Sequence, residues 1–202
     1  DEYDHDAIIE AYKPAYRNHA VMRDDLARHR HPRKAFQEMF VAAASRWASG
    51  DFDDDYPETF SQFRDRVALA LGRVTSRLES GRSAVVVSSG GPIAWVAAGL
   101  LTAPSPASTL PAALPDGAAT VWRRLNEVTV NTGVTTVLAG SALTAVSLND
   151  HAHLGGDRSL ITIGEPRRGA LRMSAAAAAS LMPEMPWAGA QPRLIVLGGW
   201  GA

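Results

Sequence analysis

The sequence is most informative in one stretch, Gly81-Arg-Ser-Ala-Val-Val-Val-Ser-Ser-Gly-Gly-Pro-Ile-Ala-Trp95. Its continuous β-branched run, Val85 to Val87, predicts a strand that is buried on both faces. Pro92 then predicts a helix that continues to Leu101, because proline is favoured in the first turn of a helix.

The four residues between this strand and helix, Ser88, Ser89, Gly90 and Gly91, are suited to binding an anion. A strand and glycine turn that lead into a helix aim free backbone N–H groups and the positive end of the helix dipole at one point. Phosphate is the typical ligand of such a point, and the two serines add hydroxyl donors. An ordinary turn with small residues for tight packing is the alternative, and the pattern alone favours it.

Composition limits the classes of function. The chain has 202 residues, 20 Lys+Arg and 21 Asp+Glu, so its net charge of −1 gives no electrostatic case for nucleic acid or an anionic membrane as partner. Cysteine is absent, which excludes disulfides, thiolate metal sites and a cysteine nucleophile. The acidic start lacks the features of a signal peptide, and the longest apolar run, 93–103, is too short to span a membrane. We expect a soluble, cytoplasmic protein.

Hydrophobic periodicity predicts the surrounding elements. Helices are expected at 7–15, 32–48, 57–78 and 122–127, a hairpin at 134–138 and 143–148, and a last strand at 159–163. The charge-rich segment 16–33 is interpreted as a solvated loop, with a phosphate-attracting patch as the alternative. Residues 1–163 are expected to form one domain, and the Ala/Gly/Pro-rich residues 164–202 a tail.

Three other patterns are only weak indications of a metal or nucleotide site. The acidic loop Asp51–Asp55 lacks the glycine and glutamate that a calcium loop needs at its sixth and twelfth positions. His151 and His153, beside Asp150, have no third clear metal ligand. The strand-like end 194–202 approaches a Gly-x-Gly turn but stops before a dinucleotide-binding helix. We therefore predict no metal and no cofactor.

Several segments, taken in order, resemble the histidine phosphatase (phosphoglycerate mutase-like) superfamily. The matching parts are Glu2–Asp6, Phe36-Gln37 with Trp47, Glu58–Phe60 with Phe63 and Arg66-Val67, Val85–Ile93, and Asn149–Leu154. The resemblance implies a three-layer α/β domain with a mostly parallel sheet and helices on both faces.

The resemblance also implies phosphoryl transfer through a phosphohistidine. A neutral histidine attacks phosphorus, arginines and a second histidine hold the oxygens, and a carboxylic acid protonates the leaving alcohol. Glu2 aligns with the superfamily's proton donor. Ser89 stands where most members have the second histidine, and Gly90 and Gly91 fall in the phosphate-facing turn.

One expected motif is missing, because the superfamily's nucleophile lies in an Arg-His-Gly motif on its first strand and no Arg-His-Gly occurs here. We expect the domain to be N-terminally incomplete, which would expose sheet edges and favour self-association into a homo-oligomer. The predicted function is a phosphomonoester hydrolase that acts on a small phosphorylated substrate. The alternative is a non-catalytic relative that binds a phosphorylated ligand or a protein. A nucleotide-binding role for the C-terminal end is a more distant interpretation.

Overall fold

The computed structural model describes residues 2–103, 107–110, 115–157, 161 and 193–198. The chain forms two compact units, residues 3–65 and residues 1–2 together with 66–202. The predicted domain boundary at residue 163 stays a prediction. Among the described helices, none has the length and apolar character needed to cross a bilayer.

The unit of residues 3–65 is helical. Its helices are α1 (His5–Tyr12), α2 (His19–Ala27), α3 (Pro32–Ser49) and the first part of α4 (Phe60–Arg77), with 3-10 turns at Pro14–Arg17 and Asp53–Asp55. The predicted helices at 7–15, 32–48 and 57–78 are thus confirmed with small shifts in their ends. Proline at the start of α3 and Gly50 in the left-handed conformation at its end fix its length.

An aromatic cluster forms the core of this unit around Trp47, whose side chain is 1% exposed. The rings of Tyr3, Phe60 and Phe63 lie with their centroids 4.9, 5.0 and 5.4 Å from that of Trp47. The Trp47 indole N–H donates to the carbonyl of Glu58 at 2.8 Å. Burial of large rings with a satisfied indole is a strong stabilising combination.

Most of residues 16–33 are exposed, as predicted for a solvated segment, but the prediction of a loop is wrong because nine of them form α2. The side chain of Asn18 caps this helix by accepting from the Ala20 N–H at 2.9 Å. Lys13 donates to Asp25 at 2.7 Å and to the Tyr16 hydroxyl at 2.8 Å, and that hydroxyl in turn donates to Asp25. The Lys13 and Tyr16 hydrogen bonds lower the pKa of Asp25 to about 2.

The other unit contains a four-stranded sheet of order β1-β4-β2-β3. Its strands are β1 (Ser83–Ser88), β2 (Val134–Ala139), β3 (Leu143–Asp150) and β4 (Arg193–Gly198). The predicted hairpin is confirmed, and its short connection makes β2 and β3 antiparallel. Since β2 also pairs antiparallel with β4 and only β1 with β4 is parallel, the described strands form a mixed sheet and not a mostly parallel one.

One expectation for this sheet needs correction. β1 lies at the edge of the described sheet and Val87 is 58% exposed, so the strand is not buried on both faces. β4 lies within the stretch 164–202 that was predicted as a tail, at the strand-like end of that stretch, and pairs with β1 and β2. Residues 164–192 lie outside the described residues, and of the strand predicted at 159–163 only residue 161 is described.

The described residues of this unit also form the second part of α4, α5 (Gly90–Thr102), α6 (Ala118–Asn126) and a 3-10 turn at Ala152–Leu154. Every residue of α5 from Gly91 to Gly99 is buried, and the helix contacts β3, β4 and α6. A helix that is apolar all round belongs in a core. Its first turn therefore has a fixed position.

Candidate phosphate-binding site

The strand–turn–helix predicted around Ser88–Gly91 is confirmed. Ser88 ends β1, Ser89 is the N-cap residue of α5, and Gly90 and Gly91 are its first two residues. The first backbone N–H groups of a helix lack partners within the helix, and the dipole makes this end positive. The sequence-predicted phosphate residues are thus contiguous at the start of a buried helix.

The hydroxyl of Ser89 is the most unusual group at this position. The residue is 6% exposed, and its Oγ has no hydrogen-bond partner among the described residues. An N-cap serine normally accepts from the N–H two or three positions ahead. Here the third position is Pro92, which has no N–H, and the N–H of Gly91 binds another group. The buried Ser89 hydroxyl therefore has no hydrogen-bond partner among the described residues. An unpaired buried hydroxyl lowers stability unless a ligand forms a hydrogen bond with it.

The group that binds the Gly91 N–H is the carboxylate of Glu2. The Gly91 N–H donates to Glu2 Oε2 at 2.9 Å, although the two residues are 89 positions apart in the chain. Glu2 is the residue that the superfamily resemblance marks as proton donor, and the structure brings it to the turn that holds Ser89, Gly90 and Gly91. A carboxylate on a helix N-terminus is also electrostatically favourable.

Sequence reasoning missed one residue of this site, Trp122 on α6. The residue is 0% exposed, and its indole N–H donates to the carbonyl of Gly91 at 3.0 Å. The peptide groups of Gly91 are thus held on both sides, by Glu2 at the N–H and by Trp122 at the carbonyl. A tryptophan in a short amphipathic helix was the only signal, and it indicated no more than core packing.

The space around Gly90 is too small for a side chain without some adjustment. A Cβ on Gly90 would lie 3.1 Å from Oδ1 of Asn126 and 3.8 Å from Cγ2 of Thr129. Contacts this short require the neighbouring side chain to shift, so the turn fits a residue without a side chain. The end of α6 therefore packs closely on the candidate site.

The histidine pair beyond β3 has other contacts. Nδ1 of His151 lies 2.9 Å from the Asn149 carbonyl oxygen, and Nε2 of His153 lies 3.5 Å from the Thr132 hydroxyl. Within the described ranges, no three histidine, aspartate or glutamate side chains converge as metal ligands do. At the acidic loop, Asp55 forms an ion pair with Arg46.

A known family model matches part of the chain. Residues 25–128, just over half of the chain, match the family model of the histidine phosphatase superfamily (branch 1). The matched range includes Ser88–Gly91 and Trp122 and excludes Glu2. No curated protein and no solved structure matches the chain.

Proposed function

The chain belongs to the histidine phosphatase superfamily. We propose that it functions as a phosphomonoester hydrolase that acts through a phosphohistidine on a small phosphorylated substrate. The start of α5 would hold the phosphoryl group. The observation that carries the proposal is the buried, unpartnered hydroxyl of Ser89 at the N-terminus of a 13-residue helix. Membership in the superfamily by itself supports phosphatase or mutase chemistry in general.

The physical case for phosphate rests on fixed donors. The N-terminal end of α5 carries a partial positive charge, and Ser89 adds a hydroxyl that can donate to a phosphoryl oxygen. Burial of α5 keeps these dipoles oriented before the ligand arrives. Preoriented dipoles stabilise the charge that develops on phosphoryl oxygens without having to reorganise.

Glu2 supplies the proton in the proposed reaction. The nucleophilic histidine of the superfamily's Arg-His-Gly motif is not present among the 202 residues. As a nitrogen of that histidine forms a bond to phosphorus, the bond from phosphorus to the ester oxygen breaks, and a proton passes through the Glu2 carboxyl to that oxygen. Water then attacks the phosphohistidine and releases phosphate. The contact between Glu2 and the Gly91 N–H supports this role, because the carboxyl lies beside the turn at Ser88–Gly91.

A second candidate is a phosphate-binding relative without turnover. It is favoured by the resemblance to the superfamily, in which Ser89 stands where most members have the second histidine. It is also favoured by the sequence, because the 202 residues contain no Arg-His-Gly. A site that keeps its anion-binding helix but presents no nucleophile would bind phosphorylated ligands and leave them intact.

Two measurements test these proposals. Titration of the chain with inorganic phosphate should give saturable binding that Ser89→Ala weakens about tenfold, the value of one hydrogen bond to a charged group. Ser45→Ala is the matched control, because the Ser45 hydroxyl donates to Val41 O on the exposed side of α3. If Ser89→Ala and Ser45→Ala bind phosphate equally well, the phosphate site is refuted.

The choice between the two functions depends on turnover. The protein isolated from its native cell should hydrolyse para-nitrophenyl phosphate and carry an acid-labile phosphate on histidine. Phosphate binding with neither activity would support the non-catalytic function instead.

A further inference from the structure

We propose that Glu2 makes the anion site at the start of α5 selective for anions that still carry a proton. The site would accept the monoanion of a phosphomonoester and discriminate against a sulfate ester. This inference rests on the proposed function, because it concerns the same site, and it adds the property by which that site chooses its ligand.

The first step in the argument is the position of the charge. Glu2 Oε2 lies 2.9 Å from the Gly91 nitrogen, two residues along from Ser89. An anion that uses the Ser89 hydroxyl at the positive end of α5 must therefore lie beside a carboxylate. Like charges placed side by side disfavour binding and are a common means of rejecting a wrong partner.

The second step is that only a proton removes this conflict. An ionised carboxylate accepts hydrogen bonds and cannot donate them. A phosphomonoester has its second pKa at about 6, so at about pH 5 most of it is a monoanion with one O–H. That O–H can donate to Glu2, which turns the repulsion into a charge-assisted hydrogen bond. A sulfate ester has the same charge and shape but no proton to share.

The third step is that the sequence of the turn leaves few other backbone donors for the Glu2 carboxylate at the start of α5. A capping acceptor normally binds the second or third N–H of a helix, and because Pro92 at the third position has no N–H, only Gly91 at the second can donate. Trp122 holds the carbonyl of the same residue. The carboxylate and the bound anion must therefore share the neighbourhood of Gly91.

The test compares phenyl phosphate with phenyl sulfate at about pH 5, where both are monoanions. Calorimetric titration of the unmodified chain should show at least about a tenfold preference for phenyl phosphate. Glu2→Gln should reduce this preference to within about threefold, chiefly by tightening phenyl sulfate. Glu2→Asp should retain most of the preference, since it keeps the charge. Glu10→Gln is the matched control, because Glu10 pairs with Arg17 on the helical unit, and it should leave the preference unchanged.

The outcomes separate this inference from the proposed function. If the unmodified chain binds both esters equally, or if Glu2→Gln keeps the preference, the selectivity inference is overturned while the anion site stands. If the unmodified chain binds neither ester, the phosphate site itself fails and the inference fails with it. If circular dichroism shows that Glu2→Gln is unfolded, the test uses the ratio of phenyl phosphate to phenyl sulfate affinity in the unmodified chain and in Glu2→Asp. Equal binding of the two esters by either protein overturns the inference.

Discussion

Trp47 and Trp122 are both almost completely buried, one in each unit, and each donates its indole N–H to a backbone carbonyl. Trp47 sits among aromatic rings, so its bond to Glu58 is one of many contacts that fix that core. Trp122 instead holds the peptide of Gly91, whose N–H faces Glu2. The indole hydrogen bond of Trp47 thus contributes to stability alone, whereas that of Trp122 contributes both to stability and to the geometry of the candidate site.

The largest expected effect is common to both tryptophans. Trp47→Ala and Trp122→Ala should each lower the free energy of unfolding by about 3–5 kcal/mol, because a large ring is removed from a packed core and its carbonyl partner loses a donor. Urea titration followed by circular dichroism measures this. A loss below about 1 kcal/mol for either would show that its surroundings are not tightly packed.

The conservative replacements separate the two roles. Trp122→Phe and Trp47→Phe keep an aromatic ring and remove the indole N–H, so both should cost about 1–2 kcal/mol of stability. Only Trp122→Phe should also weaken phosphate binding, by about threefold to tenfold, because it frees the Gly91 carbonyl. Equal phosphate affinity in the two variants would remove the distinction between the tryptophans.

Gly90 offers a smaller test of the same coupling. Gly90→Ala puts a Cβ 3.1 Å from Asn126 Oδ1 and should disturb the turn, weakening phosphate binding about threefold. The control is Gly72→Ala within α4, where a Cβ meets nothing within 4 Å. This change should raise stability by about 0.5–1 kcal/mol and leave phosphate binding as it was. Melting curves and phosphate titrations of both variants check these expectations.

The smallest effect concerns the helical unit and its pH dependence. The pKa of Asp25 falls from 3.8 to about 2 on folding, so its contribution to stability is present above about pH 4 and is lost as the pH falls towards 2. The pKa of Lys13 is raised above 10.5 by its bonds to Asp25 and Tyr16, so its contribution is lost only above that pH.

Melting temperatures of the unmodified chain and Asp25→Asn should therefore differ at pH 7 and converge near pH 2. The difference should be small because both charged groups face solvent. A gap that stays constant from pH 7 to pH 2 would contradict the shifted pKa.

Local patterns were sufficient for the elements whose stability is local. The apolar spacing of α3 and α4, and the alternation in β2 and β3, predicted those elements within a few residues. The helix α2 was missed because its charges hide a weak apolar face, although the capping residue Asn18 was a usable signal. Periodicity describes a segment and not its neighbours.

Long-range placement could not be read from the residues in the same way. The edge position of β1 in the described sheet depends on which strands pair with it, and β4 lies in a stretch whose composition suggested a tail. The turn at Ser88–Gly91 was predictable from its motif, whereas the approach of Glu2 was implied only by the superfamily resemblance. The bond from Trp122 to Gly91 had no sequence signal of its own.

The central place of β4 has a consequence for folding kinetics. Ser83 of β1 pairs with Arg193 of β4, which is 110 positions away, while the β2–β3 hairpin closes through a short turn. Closing the long connection costs more chain entropy, so we expect the hairpin to form early and the junction of β1, β4 and β2 to form late and slowly. Until β4 arrives, the inner edges of β1 and β2 have no partner. This half-assembled sheet is the state in which the chain is most prone to associate with other copies of itself.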